Sequence, residues 1–238
     1  YGARVVSIDG NFDDALRLVR AIGARGDVAV VNSINPYRLQ GQKTAAFEIV
    51  DELGDAPDIH IMPVGNAGNI SAYWMGYREY HADGLASRLP RMTGFQAAGS
   101  APIFHGEVVG SPETVATAIR IGNPASWQLA RQAIDDSGGT IDIVDDERIL
   151  EAQKWLASGE GVFVEPASAA SVAGLFKCLD DGRRCATCPF RERLRGARIV
   201  LTVTGHGLKD PDVASRYAEG VIESAAEEGA VLAALGLE

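Results

Sequence analysis

A net charge of −10 on 238 residues argues against a nucleic-acid-binding surface, which needs clustered Lys and Arg, although one local positive site still admits a small anionic ligand. With 46% hydrophobic and 23% charged residues the chain can bury a core, and its length suits one large α/β domain or one domain with part of a second. No run approaches the roughly 18–20 apolar residues of a membrane span, and the opening YGARVVSIDG lacks the basic-then-apolar order of a signal peptide.

The first residue is Tyr1 rather than Met, so a natural amino terminus further upstream is expected. Arg4–Ile8 reads as a short strand, and Asp9, Gly10 and Asn11 as a turn and helix cap. Phe12, Leu16, Val19 and Ile22 recur at helical spacing, and Val28–Val31 is a short apolar strand. The alternation continues with helix Thr44–Leu53, strand His60–Val64, helix Asn69–Tyr80 and strand Met92–Ala97. Helices are predicted over Glu113–Ile119 and Ser126–Ile134, then a strand over Thr140–Val144 and a helix capped by Asp145 and Asp146 that runs through Trp155. Gly161–Val164 leads into a helix over Ala169–Leu179, and Arg198–Thr204 is the last strong strand. Strands alternating with helices predict an α/β fold whose mostly parallel sheet is flanked by helices.

The polar, basic stretch Asp180–Ala197 reads as a surface loop, and the acidic, Ala-rich tail after Lys209 as one or two terminal helices. Cys178, Cys185 and Cys188 are an odd number crowded into one stretch, which suits a reducing cytoplasm rather than a disulfide framework.

Four loops carry the candidate chemistry. Gly65-Asn66-Ala67-Gly68-Asn69 follows a strand and precedes a helix, so its backbone N–H groups and the helix end make either a phosphate cradle or an ordinary tight turn. Asn32-Ser33-Ile34-Asn35-Pro36-Tyr37-Arg38 offers hydroxyl, amide and guanidinium donors, and reads equally as an Asn/Pro turn with a solvated Arg. Thr202-Val203-Thr204-Gly205-His206-Gly207 puts a hydroxyl and two glycines at a strand end, either for a planar ligand or for a simple turn. Glu165-Pro166-Ala167-Ser168 opens a helix, where Glu165 is a functional carboxylate or a charge that suits the helix dipole. All four follow strands of one predicted sheet, whose ligands bind beyond the strands' carboxyl ends.

The runs NSINPYRLQGQKTAAFEIVDELG, PVGNAGNISAYWMGYREYH, TAIRIGNPASW, EPASAAS and LTVTGHGLKD, taken together, resemble the bacterial threonine synthases of the shorter, dimeric branch. The resemblance runs from Tyr1 to about Asp212. It implies fold type II of the pyridoxal-phosphate (PLP) enzymes, the tryptophan-synthase-β-like fold, incomplete at its amino end. Residues 1–40 would be a remnant of the smaller domain and 41–238 most of the larger, cofactor-binding one. Gly65, Asn66, Ala67, Gly68 and Asn69 would cradle the PLP phosphate, and Thr204 would bond the pyridine nitrogen. Asn32, Ser33 and Arg38, with Asn66 nearby, would hold the phosphate of O-phospho-L-homoserine. The implied reaction releases phosphate and adds water to give L-threonine, in a cytoplasmic homodimer.

Two departures bear on this reading. The Schiff-base lysine of the family sits upstream, and none of Lys43, Lys154, Lys177 and Lys209 matches it, so this chain alone is expected to lack activity. The stretch around Cys185 and Cys188 is longer than the family's connection, and three cysteines without a nearby histidine are a poor metal site, so no metal is expected. Sibling PLP lyases such as threonine or serine dehydratase are the nearest alternative. They have no substrate phosphate for Ser33 and Arg38 to hold. A non-catalytic, phosphate-binding remnant is the alternative of another class.

Overall fold

The computed structural model describes residues 2–10, 12–184, 194, 196–217 and 222–237. Its centre is a four-stranded parallel sheet in the order β3-β2-β1-β4: β1 is Ile59–Pro63, β2 Arg91–Ala97, β3 Thr140–Val144 and β4 Ile199–Leu201. Ile59 is in register with Arg91 on one side and Ile199 on the other, and Thr93 with Thr140. Parallel neighbours cannot be joined by a tight turn, so each connection runs through helices. Helix α4 (Gly68–Ala82) links β1 to β2, α5 (Pro102–His105) and α6 (Trp127–Ser137) link β2 to β3, and α7 (Asp146–Gly159) and α8 (Pro166–Arg184) link β3 to β4. Before the sheet come α1 (Phe12–Gly23), α2 (Pro36–Gln42) and α3 (Thr44–Leu53); after it come α9 (Pro211–Tyr217) and α10 (Glu228–Leu235).

The two-residue period of β1 divides the core. Ile59 and Ile61 pack with Phe95, Ile149 and Leu156 against α7 and α8. Met62 and Val64 pack with Ile70, Trp74 and Tyr77 on the face covered by α3, α4 and α6. Both faces are therefore dry, and burying each of these large side chains contributes about 1.5–3 kcal/mol. Asp145 caps α7 by accepting from the Arg148 N–H at 2.8 Å, and Asp146 and Glu147 sit in the first turn where the helix dipole favours them.

The structure corrects three predicted elements. Arg4–Ile8 and Val28–Val31 have strand-like composition but form no strand: Val5 is 91%, Val6 82% and Val31 75% exposed. Apolar β-branched residues hold a strand only against a paired neighbour, and among the described residues none pairs with these two runs. Glu113–Ile119 is not a helix beyond a 3₁₀ turn at Thr117–Ile119. Asp146 takes the Thr114 hydroxyl and the Val115 N–H, and Ser100 takes the Ile121 N–H, so side chains claim the groups a helical ladder needs.

Other boundaries shift. Helix α8 begins at Pro166 and reaches Arg184, so the first residues of the expected 180–197 loop are helical. The rest of that loop through residue 193, Cys185 and Cys188 included, lies outside the described residues, as does Asn11 of the first turn. Arg198–Thr204 contributes only Ile199–Leu201 to the sheet, and the described residues of the tail form two helices, as expected. The Asn32–Arg38 loop contains the start of α2: Asn35 caps it, accepting from the Tyr37 N–H at 2.9 Å, and Pro36 takes the first helical position.

Candidate functional site

The strand order reverses between β1 and β4, because β2 and β3 extend the sheet on one side of β1 and β4 on the other. A crevice forms beyond the carboxyl ends of strands at such a switch point. A cavity of about 440 Å³ lies there, with Gly65–Asn69 following β1, Thr204 and Gly205 following β4, and Ser33 and Arg38 reaching it from the chain before β1. Eight of the nine residues to which the resemblance gives a cofactor- or substrate-binding role line it: Ser33, Arg38, Gly65, Asn66, Ala67, Gly68, Asn69 and Thr204. Asn32 does not. Its Oδ1 accepts from the Ile34 N–H at 3.2 Å and its carbonyl from the Asn35 N–H at 2.9 Å, which shapes the turn that presents Ser33.

The Gly65–Asn69 turn is held under strain and left partly unsatisfied. Ala67 has φ +64°, a left-handed conformation that costs a residue with a Cβ about 1–2 kcal/mol. Ala67 stands at the N-cap of α4 with no side-chain cap, so the first N–H groups of a 15-residue helix open onto the cavity. Asn66 Oδ1 accepts from the Ala125 N–H at 2.6 Å and the Asn66 carbonyl from the Ser126 N–H at 3.2 Å. Its amide nitrogen, Nδ2, is buried with no partner. A donor so placed costs about 1–3 kcal/mol unless an acceptor meets it. A Cβ on Gly68 would meet no protein atom closer than 3.9 Å, so a side chain there has the cavity to enter.

Gln42 is a site residue that sequence reasoning missed. Its amide, oriented so that the oxygen accepts from Arg38 Nε (3.2 Å) and Nη2 (2.8 Å), donates from its nitrogen to Asn69 Oδ1 at 2.7 Å. Arg38 on α2 is thus tied to the first turn of α4. The signal was present only after the fact: Gln42 lies one helical turn beyond Arg38, on the same side of α2.

Beyond β4, the Thr204 N–H donates to Ser168 Oγ at 2.7 Å, while Glu165 and Lys209 complete the wall. Of the four lysines only Lys209 lines the cavity, and its Nζ lies 3.3 Å from both carboxylate oxygens of Glu165. Lys43 pairs with Glu79 at 2.5 Å, Lys177 with Asp142 at 2.8 Å, and Lys154 is exposed on α7.

Behind Thr204, β4 is braced by a buried network that the sequence did not reveal. His60, fully buried on β1, bonds Thr202 Oγ1 through Nε2 (2.6 Å) and the Tyr77 hydroxyl through Nδ1 (2.9 Å). Burial lowers the His60 pKa to about 3, so the ring is neutral at physiological pH. Among the described residues no His, Cys, Asp or Glu cluster is built to hold a metal ion, and no helix is long and apolar enough to cross a membrane.

Comparison with known proteins places this geometry. Residues 1–205 match the family described as pyridoxal-phosphate dependent enzyme. The threonine synthase of Mycobacterium leprae (strain TN) is 55% identical over the whole of this chain, which covers 64% of that protein. The threonine synthase of Synechocystis sp. is 58% identical over 90% of this chain and 53% of its own length. The chain thus spans less than two thirds of the length of these curated relatives. Maize serine racemase superposes with a TM-score of 0.69 at 19% identity, over 90% of this chain and 62% of that one, and shares the type II fold. The chain belongs to the pyridoxal-phosphate dependent enzymes.

Proposed function

We propose, for a chain of this family, that the cavity holds the cofactor's phosphate against Gly65–Asn69 and that the whole protein is a lyase converting O-phospho-L-homoserine and water to L-threonine and phosphate. The observation that carries the first part is the buried, unpartnered Asn66 Nδ2 beside the uncapped start of α4. A phosphate oxygen supplies the acceptors that these donors lack. When bound, pyridoxal phosphate supplies an electron sink for bond changes on the substrate carbons. The Thr204 hydroxyl is neutral, so it accepts or donates at the pyridine nitrogen without fixing a proton there, as a carboxylate would.

Arg38 supports the substrate assignment. Its guanidinium is anchored through Gln42 to Asn69, so a second phosphate meets a pre-oriented cation at the mouth of the same cavity. Ser33 adds a hydroxyl donor, Asn66 lines the same cavity, and Asn32 shapes the turn that presents Ser33. The identity to threonine synthases agrees with this pairing of donors. In the same reading residues 1–40 belong to a smaller domain, 41–238 to the cofactor domain, and the whole protein is a cytoplasmic homodimer.

None of the four lysines takes the Schiff-base role in this reading; Lys209 is engaged by Glu165. The 238-residue chain is therefore expected to bind PLP and form no threonine. A hybrid that places the upstream third of the Mycobacterium leprae relative before this chain is expected to release phosphate and threonine from O-phosphohomoserine. Turnover by the chain alone, with borohydride fixing the cofactor on one of Lys43, Lys154, Lys177 or Lys209, would contradict the proposal.

A further inference from the structure

Residues 163–168, which lead into α8, and residues 204–209, which follow β4, are clasped along their length. The Gly207 N–H donates to the Phe163 carbonyl at 3.2 Å, and Val164 pairs with His206 in an antiparallel bridge. The Glu165 N–H donates to the Gly205 carbonyl at 2.9 Å, and the Thr204 N–H to Ser168 Oγ at 2.7 Å. The Glu165 carboxylate fills the space beside Gly205 so closely that a Cβ there would lie 2.1 Å from Oε1. Its side chain is only 5% exposed, while that of Lys209, 3.3 Å away, is 61% exposed. A carboxylate so enclosed is costly unless a cation offsets its charge, and removing the cation favours its displacement from beside Gly205.

We infer that Glu165 and Lys209 form a positioning pair that sets the Thr204 hydroxyl over the cavity. Lys209 acts through the carboxylate that buttresses Gly205, one residue from Thr204, and not by touching a ligand. The inference rests on the reading in which Thr204 meets the pyridine ring of the cofactor and Gly65–Asn69 hold its phosphate. The two contacts are then separable. Inorganic phosphate, whether at Gly65–Asn69 or at Arg38, does not need Thr204, whereas PLP needs both the cradle and Thr204.

The test uses this chain as Lys209→Met, Lys209→Arg and the double variant Glu165→Gln/Lys209→Met, each titrated with PLP and with inorganic phosphate. Lys209→Met is expected to weaken PLP about tenfold and to leave phosphate within about twofold. Lys209→Arg restores PLP affinity, and Glu165→Gln recovers part of it in the double variant, because no uncompensated carboxylate remains. Amide exchange gives a reading that needs no ligand. The Thr204, Glu165 and Gly207 N–H groups are expected to exchange about tenfold faster in Lys209→Met and at the wild-type rate in Lys209→Arg. Equal losses for phosphate and PLP, failure of arginine to rescue, or unchanged exchange in Lys209→Met would each overturn the inference. If the unaltered chain binds phosphate but not PLP, the reading of the cavity fails, and the exchange rates still decide whether the pair positions the loop.

Discussion

Strand β1 and the segment at residues 4–8 are built from similar residues and have opposite fates. In β1, Ile59 to Pro63 are all buried, bonded by β2 on one side and β4 on the other. In the opening segment, Val5 and Val6 stand 91% and 82% exposed with no strand beside them among the described residues. The difference lies in what each run meets, since neither composition nor length separates them. A β-branched run becomes a strand where a ladder and two covered faces receive it.

Substitutions sharpen this contrast. Phe95 on β2 is fully buried, so Phe95→Ala is expected to cost about 3–5 kcal/mol by urea unfolding. An unchanged midpoint would mean that the sheet is not the centre of stability. The second test uses pH. His60 is held neutral, with its pKa lowered to about 3 from the ordinary 6.5 by burial. The unfolded chain therefore binds the proton first: the stability from a neutral His60 is fully present above pH 6.5 and falls as the pH drops toward 3. The loss is a few kcal/mol at most, about 1.4 for each pH unit of the shift. His60→Gln should flatten that slope relative to the unaltered chain, and an identical pH profile would refute the buried network.

Arg38→Ala is expected to weaken O-phosphohomoserine binding in the active hybrid by about 1.5–3 kcal/mol, roughly tenfold or more, with PLP retained. A KM that does not move would return Arg38 to the status of a solvated loop residue. The smallest effect belongs to the opening segment. Val6→Thr should change the stability of this chain by no more than about 0.5 kcal/mol. In the hybrid the same change is expected to cost more, once upstream strands cover that surface. Equal small costs in both proteins would break the comparison with β1.

The parallel sheet was legible from the sequence because its signals are local: an apolar run for β1, helical spacing over Asn69–Tyr80, and aspartates at the start of α7. The Gly65–Asn69 turn was legible for the same reason. Val28–Val31 misled because its partner, or the lack of one, is not written in the run itself. Glu113–Ile119 misled because Asp146, more than thirty residues away, takes its backbone donor. Gln42, Lys209 and His60 gain their meaning only when distant loops meet, which residue spacing along the chain does not encode.

The claim that most needs testing is that Gly65–Asn69 is a phosphate cradle for the cofactor. Gly68→Leu places a side chain where no protein atom lies within 3.9 Å of the new Cβ, so the fold should tolerate it while the cradle fills. Fluorescence titration of the chain with PLP measures the consequence directly. Saturable binding that Gly68→Leu abolishes, with the urea midpoint unchanged, is the expected result; PLP binding undiminished by Gly68→Leu would contradict the account.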